Sequence, residues 1–227
     1  MPRRPRVIFA GIALHLTQRG VDRSLTFLAD EDYAYYRWAL RQAALESECA
    51  VHAYALMPNH VHLLVTPAHA AGIARMMRSI GARYVRYFNR RYRRTGVLWE
   101  GRFRAAPVRS TDYLMNCYRY IELNPVRAGL AAGAAAWEWS SFGRNANGAE
   151  DSLVTRHPDY LGLGAHDEDR RLAYRVLFAK PLTPADLSHL RAELRGRPNV
   201  FPTPYRQAMA AMLEVESAAG GDPLEAA

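Results

Sequence analysis

The sequence predicts an α+β protein built on a ferredoxin-like βαββαβ antiparallel sheet. The first observation is the order of apolar patterns along the chain, which runs strand, helix, strand, strand, helix, strand and then an added helix. This order is typical of a split βαβ sheet with two helices on one face and the other face free. The second observation is size, since 227 residues with 49% hydrophobic content can form a large core without disulfides.

The first strand and the first helix are read from periodicity. In RVIFAGIALHLTQRG (6–20) apolar residues alternate with others up to Gly20, which predicts a strand. Apolar residues then recur at helical spacing over 31–48, and Asp30 stands where a helix cap is expected. The segment thus predicts a strand that leads into an amphipathic helix.

A predicted hairpin and a second helix follow. VHAYAL (51–56) and HVHLLVT (60–66) flank a Met-Pro-Asn turn, a pattern typical of two short strands. Residues 72–93 place their apolar side chains on one stripe and most of their arginines off it. This is the clearest amphipathic helix of the chain.

The last strand and the added helix come after Gly96. Residues 97–109 predict one or two short strands, and residues 112–124 predict a helix that Ser110 or Thr111 caps and Pro125 ends. Two further helices are predicted over 167–179 and 184–195, and the last eleven residues are expected to be disordered. We place the main domain at 1–142 and an accessory, mostly helical region at 143–227.

The net charge of +8 is unevenly distributed. Residues 1–130 contain 20 Arg, no Lys and 9 acidic residues, for a net charge of +11, whereas residues 131–227 carry −3. The 51 residues between Glu48 and Glu100 contain 8 Arg and no acid. Arginine favours planar contact with phosphate, which indicates a nucleic acid partner, although a GC-rich genome also raises arginine usage.

Several classes of protein are excluded by composition. The two cysteines, Cys49 and Cys117, cannot form a disulfide framework, and the N-terminus does not resemble a signal peptide. The longest uncharged stretch, 128–137, is too short to span a bilayer, so no membrane partner is expected. These features predict a reduced, cytoplasmic location.

His60 and His62 form a candidate metal pair. Side chains alternate across a strand, so both imidazoles project from one face of the sheet while Val61 projects from the other. Two such imidazoles can share one metal ion. Most H-x-H pairs are nevertheless incidental, and the spacing alone leaves that alternative open.

Tyr120 and Asn124 are one helical turn apart and share a face of the predicted helix. A phenol beside an amide on an apolar helix suggests a reactive group with a polar companion. The chain has 13 Tyr, however, and a tyrosine on a helix is more often a core residue with its hydroxyl at the rim. From spacing alone both interpretations stand.

Several motifs together resemble one family. ALMPNHVHLLV is followed about 60 residues later by YRYIELNPVRAGL and then by WSSF, while HLTQRG (15–20) and LWEGRFR (98–104) agree in order. The sequence resembles the single-tyrosine HUH transposases, and among them the REP-associated tyrosine transposases, across residues 6 to 142. The resemblance implies a ferredoxin-like sheet, a divalent metal held by the two histidines of the HUH motif and a tyrosine nucleophile on a helix.

Carried over to this chain, the resemblance assigns His60 and His62 to the metal, with Asn124 as its polar companion, and Tyr120 as the nucleophile. Mg²⁺ or Mn²⁺ is the expected metal, and a site of two histidines and an amide could also take Zn²⁺ or Co²⁺. The implied activity is cleavage and rejoining of single-stranded, hairpin-forming DNA through a covalent 5′-phosphotyrosine intermediate.

The DNA partner has its own candidate residues. Arginines near the motifs are candidates for phosphate contact, with a solvated surface as the alternative: Arg19, Arg75, Arg78, Arg83, Arg86, Arg90, Arg102 and Arg104. His15 on the first strand is a possible substrate contact, although a packed histidine is the commoner case. The protein is expected to act as a monomer or a homodimer.

Three rival functions fit parts of the pattern. The same sheet order serves RNA-recognition domains, but their strand aromatics are missing here. A domesticated protein that binds DNA or RNA hairpins without mobilising them is the main alternative, and a phosphodiesterase that uses water is another. One departure from the family lies in GRPNVFPTPYRQAM (196–209), where a second glycine is absent, which puts recognition of the target sequence by this part in doubt.

Overall fold

The computed structural model describes residues 8–195. The strands are β1 (Leu14–Arg19), β2 (Cys49–Met57), β3 (His60–Pro67) and β4 (Arg104–Pro107). The helices of the main domain are α1 (Asp30–Glu46), α2 (Gly72–Arg91), α3 (Thr111–Glu122) and α4 (Asn124–Arg127). Beyond them lie α5 (Phe142–Asn147), α6 (Pro158–Leu161), α7 (Asp167–Ala179) and α8 (Pro184–Arg195).

The four strands form one antiparallel sheet in the order β2-β3-β1-β4. Helix α1 connects β1 to β2, and strand β3 lies between these two strands in the sheet. Helix α2 connects β3 to β4, and strand β1 lies between those two. Such interleaving is what a ferredoxin-like split βαβ sheet requires. The predicted α+β fold class is confirmed.

The first hydrophobic core lies between the sheet and the pair α1 and α2. Val61, Leu63 and Val65 of β3 point into it and are fully buried. The apolar stripe of α2 packs on the same side, because residues three and four apart share one helical face. As a result, the arginines on the remaining faces of α2 lie on the solvent side of the helix layer.

The second face of the sheet is covered, and the expectation of a free face is wrong. Helix α3 packs on β2 and β3, and α8 packs on β4 and β1. Leu64 of the sheet joins Leu114 and Ile121 of α3 in a second buried cluster. The added helix has an apolar side of its own, and burying that side against the sheet is more favourable than leaving both in water.

Two predicted boundaries move by a few residues. Asp30 is the first residue of α1 and not its cap, because the Asp32 carboxylate instead accepts the backbone N–H groups of Leu28 and Ala29. The helix predicted over 112–124 ends at Glu122, and α4 starts after a break at Leu123. Pro125 lacks an N–H and cannot continue the first helix.

The described part of the accessory region shares its core with the main domain. Tyr160 of α6 and Tyr174 of α7 are buried in the second cluster together with Tyr118 of α3. The boundary at 142 and 143 stays a prediction, and the tail together with the motif of 196–209 lies outside the described residues. Within residues 8–195 no helix is long and apolar enough to cross a membrane.

Candidate active site

His60 and His62 project from the sheet face that α3 covers. Their ring centroids are 5.0 Å apart, and His62 is buried while His60 is partly exposed. The shared orientation predicted from strand alternation is therefore present. The pair sits next to the β2 to β3 turn, where Asn59 Oδ1 lies 2.7 Å from His60 Nδ1.

His15 joins the pair through the register of β1 and β3. Its Nε2 lies 2.9 Å from Nδ1 of His62, and its side chain is completely buried. The Nδ1 atom of His15 is shut off from solvent without a hydrogen-bond partner in residues 8–195. The structure thus places His15 behind His62 and not on a surface that a substrate could reach directly.

Burial keeps all three imidazoles neutral. It lowers the pKa of His15 to about 3, with a further contribution from the charge of Arg127. It lowers the pKa of His60 to about 4, assisted by the charge of Arg19, and it holds the pKa of His62 well below its ordinary value. A neutral imidazole offers a nitrogen lone pair, which is the form that binds a metal ion.

The hydrogen bonds also favour one tautomer. Asn59 donates its Nδ2 to the carbonyl of Arg23, so its amide oxygen faces His60 and must accept from Nδ1–H. The lone pair of His60 is then on Nε2. For His62 the proton of the contact with His15 can lie on either ring, and a Nδ1–H of His62 that donates to His15 leaves Nε2 of His62 free. In that tautomer the two histidines fit a metal ion through their Nε2 atoms.

Tyr120 lies over the histidines from α3. Its ring centroid is 5.6 Å from that of His15 and 5.7 Å from that of His62, both in edge contact. The helix that carries it starts at Ser110, whose Oγ accepts the N–H of Tyr113 at 3.2 Å. The structure therefore brings the predicted nucleophile and the predicted metal pair together.

Among the described residues Asn124 forms no hydrogen bond with His60 or His62. The break at Leu123 places it at the start of α4, and the interactions of residues 8–195 include none between its side chain and either histidine. Nor do these residues contain a group of three or more His, Cys, Asp or Glu able to hold a metal. Of the three predicted metal residues, His60 and His62 are brought together, and the metal-binding roles of all three remain predictions.

Arg127 is a site residue that sequence reasoning missed. Its guanidinium carbon lies 4.2 Å from the centroid of the Tyr120 ring, and its Nη2 donates to the Tyr120 carbonyl at 2.6 Å. The sequence signal was available, since Arg127 follows Tyr120 by seven residues within the same YRYIELNPVRAGL motif. The intervening Pro125 obscured it, because a broken helix need not keep its periodicity.

Glu122 anchors α3 on the side away from the site. Its buried carboxylate accepts hydrogen bonds from Ser141, Asn145 and Tyr174, at 2.5, 2.9 and 2.8 Å. Burial raises its pKa to about 7, and the three donors oppose that rise. Its role is to hold the helix.

The predicted DNA-binding arginines fall into two groups. Directly paired residues on adjacent strands share a face. Arg19 pairs with His60, and Arg104 and His62 both pair with Thr17, so these arginines are on the histidine face. The arginines of α2 are across the sheet from it, and some of them have protein partners: Arg83 pairs with Glu46 at 2.5 Å and Arg75 donates to the Glu46 carbonyl at 3.3 Å.

Arg19 is partly buried, and five further arginines of the set are exposed. Arg19 pairs with Glu100 at 2.8 Å, so a DNA phosphate would have to replace that carboxylate. No ion pair is found within residues 8–195 for the others: Arg78, Arg86, Arg90, Arg102 and Arg104. The structure thus separates arginines near the histidines from arginines on the far side of the sheet.

Comparison with known proteins gives one family. The model of the family described as "Transposase IS200 like" matches residues 10–124, a segment that includes the three histidines and Tyr120. No curated protein sequence matches the chain.

Two solved structures are similar to parts of the chain, and the first of them agrees with the fold. The chain is similar to a REP-associated tyrosine transposase bound to a REP hairpin, at 21% identity and a TM-score of 0.56, covering 69% of this chain and 99% of that one. A candidate transposase from Deinococcus radiodurans R1 matches at 17% identity and a TM-score of 0.37, covering 57% of this chain and 98% of that one. Because the family model spans half of the chain, the chain belongs to the IS200-like transposase family.

Proposed function

We propose that this transposase cleaves and rejoins single-stranded, hairpin-forming DNA through a covalent 5′-phosphotyrosine on Tyr120. The observation that carries the proposal is the edge contact of Tyr120 with His62, which places a phenol over a pair of neutral imidazoles. DNA hairpins are the substrate class we favour, since a REP hairpin is the molecule bound by the structural neighbour.

His60 and His62 would hold a divalent metal, Mg²⁺ or Mn²⁺, through their Nε2 atoms. The fit rests on the tautomers, because the Nδ1 atoms are engaged by Asn59 and His15. With two protein nitrogens, further ligands would have to come from DNA oxygens, water or Asn124. Such an ion would polarise the scissile phosphate and offset the negative charge that develops on it.

Tyr120 would act as the nucleophile. Attack of its deprotonated oxygen on phosphorus forms the phosphotyrosine bond and breaks the bond to the 3′ oxygen, which leaves as a hydroxyl after taking up a proton. The bond energy is kept in the phosphotyrosine, so a 3′-hydroxyl can later reverse the step on another strand. This reversibility is what joining requires.

The direct test is a covalent adduct. Purified protein is incubated with 5′- and 3′-labelled hairpin DNA and Mn²⁺, and adducts are resolved on denaturing gels. We expect wild type to retain the label located 3′ of the break and Tyr120→Phe to retain none. Tyr113→Phe is the matched control, since Tyr113 lies on the same helix, and it should form the adduct.

The histidines are tested in the same assay. His60→Ala and His62→Ala should each lower the rate of adduct formation by at least about 100-fold. An adduct that persists in Tyr120→Phe would remove the nucleophile assignment. Tight hairpin binding without any adduct in wild type would favour the domesticated binding protein, and cleavage without an adduct would favour the water-using phosphodiesterase.

A further inference from the structure

The Arg127 side chain is held in place while part of its donor capacity is unused. Its Nη2 is bound to the Tyr120 carbonyl and its guanidinium is stacked on the Tyr120 ring. Its Nη1 is shut off from solvent and has no hydrogen-bond partner within residues 8–195. A guanidinium carries five N–H donors, and a buried donor without a partner costs about 1–3 kcal/mol.

No carboxylate balances this charge. Among the described residues Arg127 forms no salt bridge, and the acids on neighbouring elements are engaged elsewhere. Glu122 is bound by three donors on its own side of α3, and Glu193 of α8 pairs with Arg109 at 3.2 Å. A partly buried cation without a counter-ion is expected to attract an anion.

A second arginine adds to the positive potential. Burial lowers the pKa of Arg127, proximity to the Tyr120 phenol opposes that effect, and the charge of Arg191 on α8 lowers the pKa further. Arg191 is exposed, and α8 packs against β1 and β4 on the histidine face. Two cations that repel each other beside neutral histidines are both stabilised when an anion binds between them.

We infer that Arg127 is a phosphate-binding residue that holds the scissile phosphate against Tyr120, with Arg191 contributing a second positive charge from the accessory region. The free Nη1 would donate to a non-bridging phosphate oxygen while Nη2 keeps the side chain fixed to α3. The guanidinium is already held on Tyr120 before DNA binds, so this side chain needs little reorganisation. Because Nη1 is shut off from solvent, neighbouring side chains have to move to admit the phosphate. The assignment to the scissile phosphate rests on the proposed function, whereas the anion site itself does not.

The anion site is tested without DNA. Thermal unfolding is measured with inorganic phosphate and with sodium chloride at equal ionic strength. For phosphate at ten times its Kd we expect the Tm of wild type to rise by about 3–6 °C over the chloride control. The rise should vanish in Arg127→Met. It should persist in Arg144→Met, since Arg144 of α5 is also partly buried and also has an unpartnered nitrogen.

A second measurement covers the case in which Arg127→Met does not fold. Wild-type protein labelled with nitrogen-15 arginine is titrated with inorganic phosphate, and the Arg127 side-chain resonance, assigned with Arg127→Lys, should shift in a saturable way. A phosphate-induced Tm rise that is retained in folded Arg127→Met, or an unmoved Arg127 resonance, overturns the anion site.

The link to the reaction is tested by the adduct assay. Arg127→Lys keeps a charge but loses the planar fork, and we expect adduct formation about 100-fold slower with hairpin affinity within about fivefold of wild type. An unchanged rate overturns the assignment to the scissile phosphate. If wild type forms no adduct at all, the proposed function fails, while the phosphate titration still decides the anion site.

Discussion

Asn59 and His15 contact the Nδ1 atoms of the two histidines of the predicted metal pair. Asn59 Oδ1 lies 2.7 Å from His60, and His15 Nε2 lies 2.9 Å from His62. In known metal sites a histidine commonly donates its Nδ1 proton to an oxygen acceptor, and the contact of His60 with Asn59 has this form. His62 instead faces a third histidine, whose own Nδ1 is buried and unpartnered among the described residues. His15 is therefore a positioning residue for His62.

The role of His15 predicts an effect on metal affinity. His15→Phe removes the hydrogen-bond partner of His62 Nδ1, so the ring of His62 is no longer held in place from that side. We expect Mn²⁺ binding, measured by isothermal titration calorimetry without DNA, to weaken by about 10–100-fold.

His52→Asn is the control for that measurement. His52 is another buried, hydrogen-bonded histidine, bound to Thr155 and Thr66 away from the site, so its loss should leave Mn²⁺ affinity within about twofold. Equal Mn²⁺ affinity of wild type and a folded His15→Phe variant would contradict the positioning role.

The two histidine contacts of the site differ in whether the sequence can predict them. His60 and His62 are two residues apart, so alternation along one strand predicts their shared face. His15 and His62 are 47 residues apart, and their contact depends on the register of β1 on β3. Register is a property of the folded sheet, which is why the first pair was predicted and the second contact was not.

At the scale of elements, α3 is held between the sheet and the accessory helices. The sequence predicted this helix with a cap at Ser110 or Thr111, because both follow from local spacing, and the structure shows Ser110 as the cap. It did not predict the partners of Glu122, which lie 19, 23 and 52 residues further along the chain. The position of Tyr120 thus depends on residues outside the segment that carries it.

Substitution of Glu122 is therefore expected to lower the free energy of unfolding strongly. Glu122→Ala leaves the polar groups of Ser141, Asn145 and Tyr174 buried without their acceptor, and we expect a loss of about 3–5 kcal/mol in the free energy of unfolding. Glu122→Gln keeps the shape and an acceptor oxygen and should cost about 1–2 kcal/mol. Chemical denaturation at constant pH measures both.

The control for Glu122 is Glu100→Ala. Glu100 is exposed and pairs with Arg19, so its loss should change stability by less than about 1 kcal/mol. If Glu122→Ala were as mild as Glu100→Ala, α3 would not depend on this carboxylate.

At the scale of the molecule, the positive charge is divided between the two faces of the sheet. The sequence located the excess of +11 in residues 1–130, but it could not assign arginines to faces. The apolar stripe of α2 packs on the sheet face opposite the histidines, so the arginines of α2 lie on that side of the sheet. Arg19 and Arg104 remain on the histidine face, where Arg127 and Arg191 add to the positive charge.

This division predicts which arginines bind DNA in the reaction proposed for Tyr120. Arg104 and Arg78 form a matched pair, since both are exposed and neither has an ion pair within residues 8–195. A single-stranded phosphate contact contributes about 0.7 to the slope of log affinity against log salt. Arg104→Gln should therefore lower that slope by about 0.7 and weaken hairpin binding about fivefold at 0.1 M salt. Arg78→Gln should change neither quantity.

Fluorescence anisotropy with a labelled hairpin across a salt series gives both values. A slope that falls in Arg78→Gln and not in Arg104→Gln would place the DNA on the helix side of the sheet, too far from Tyr120 for the arrangement proposed here.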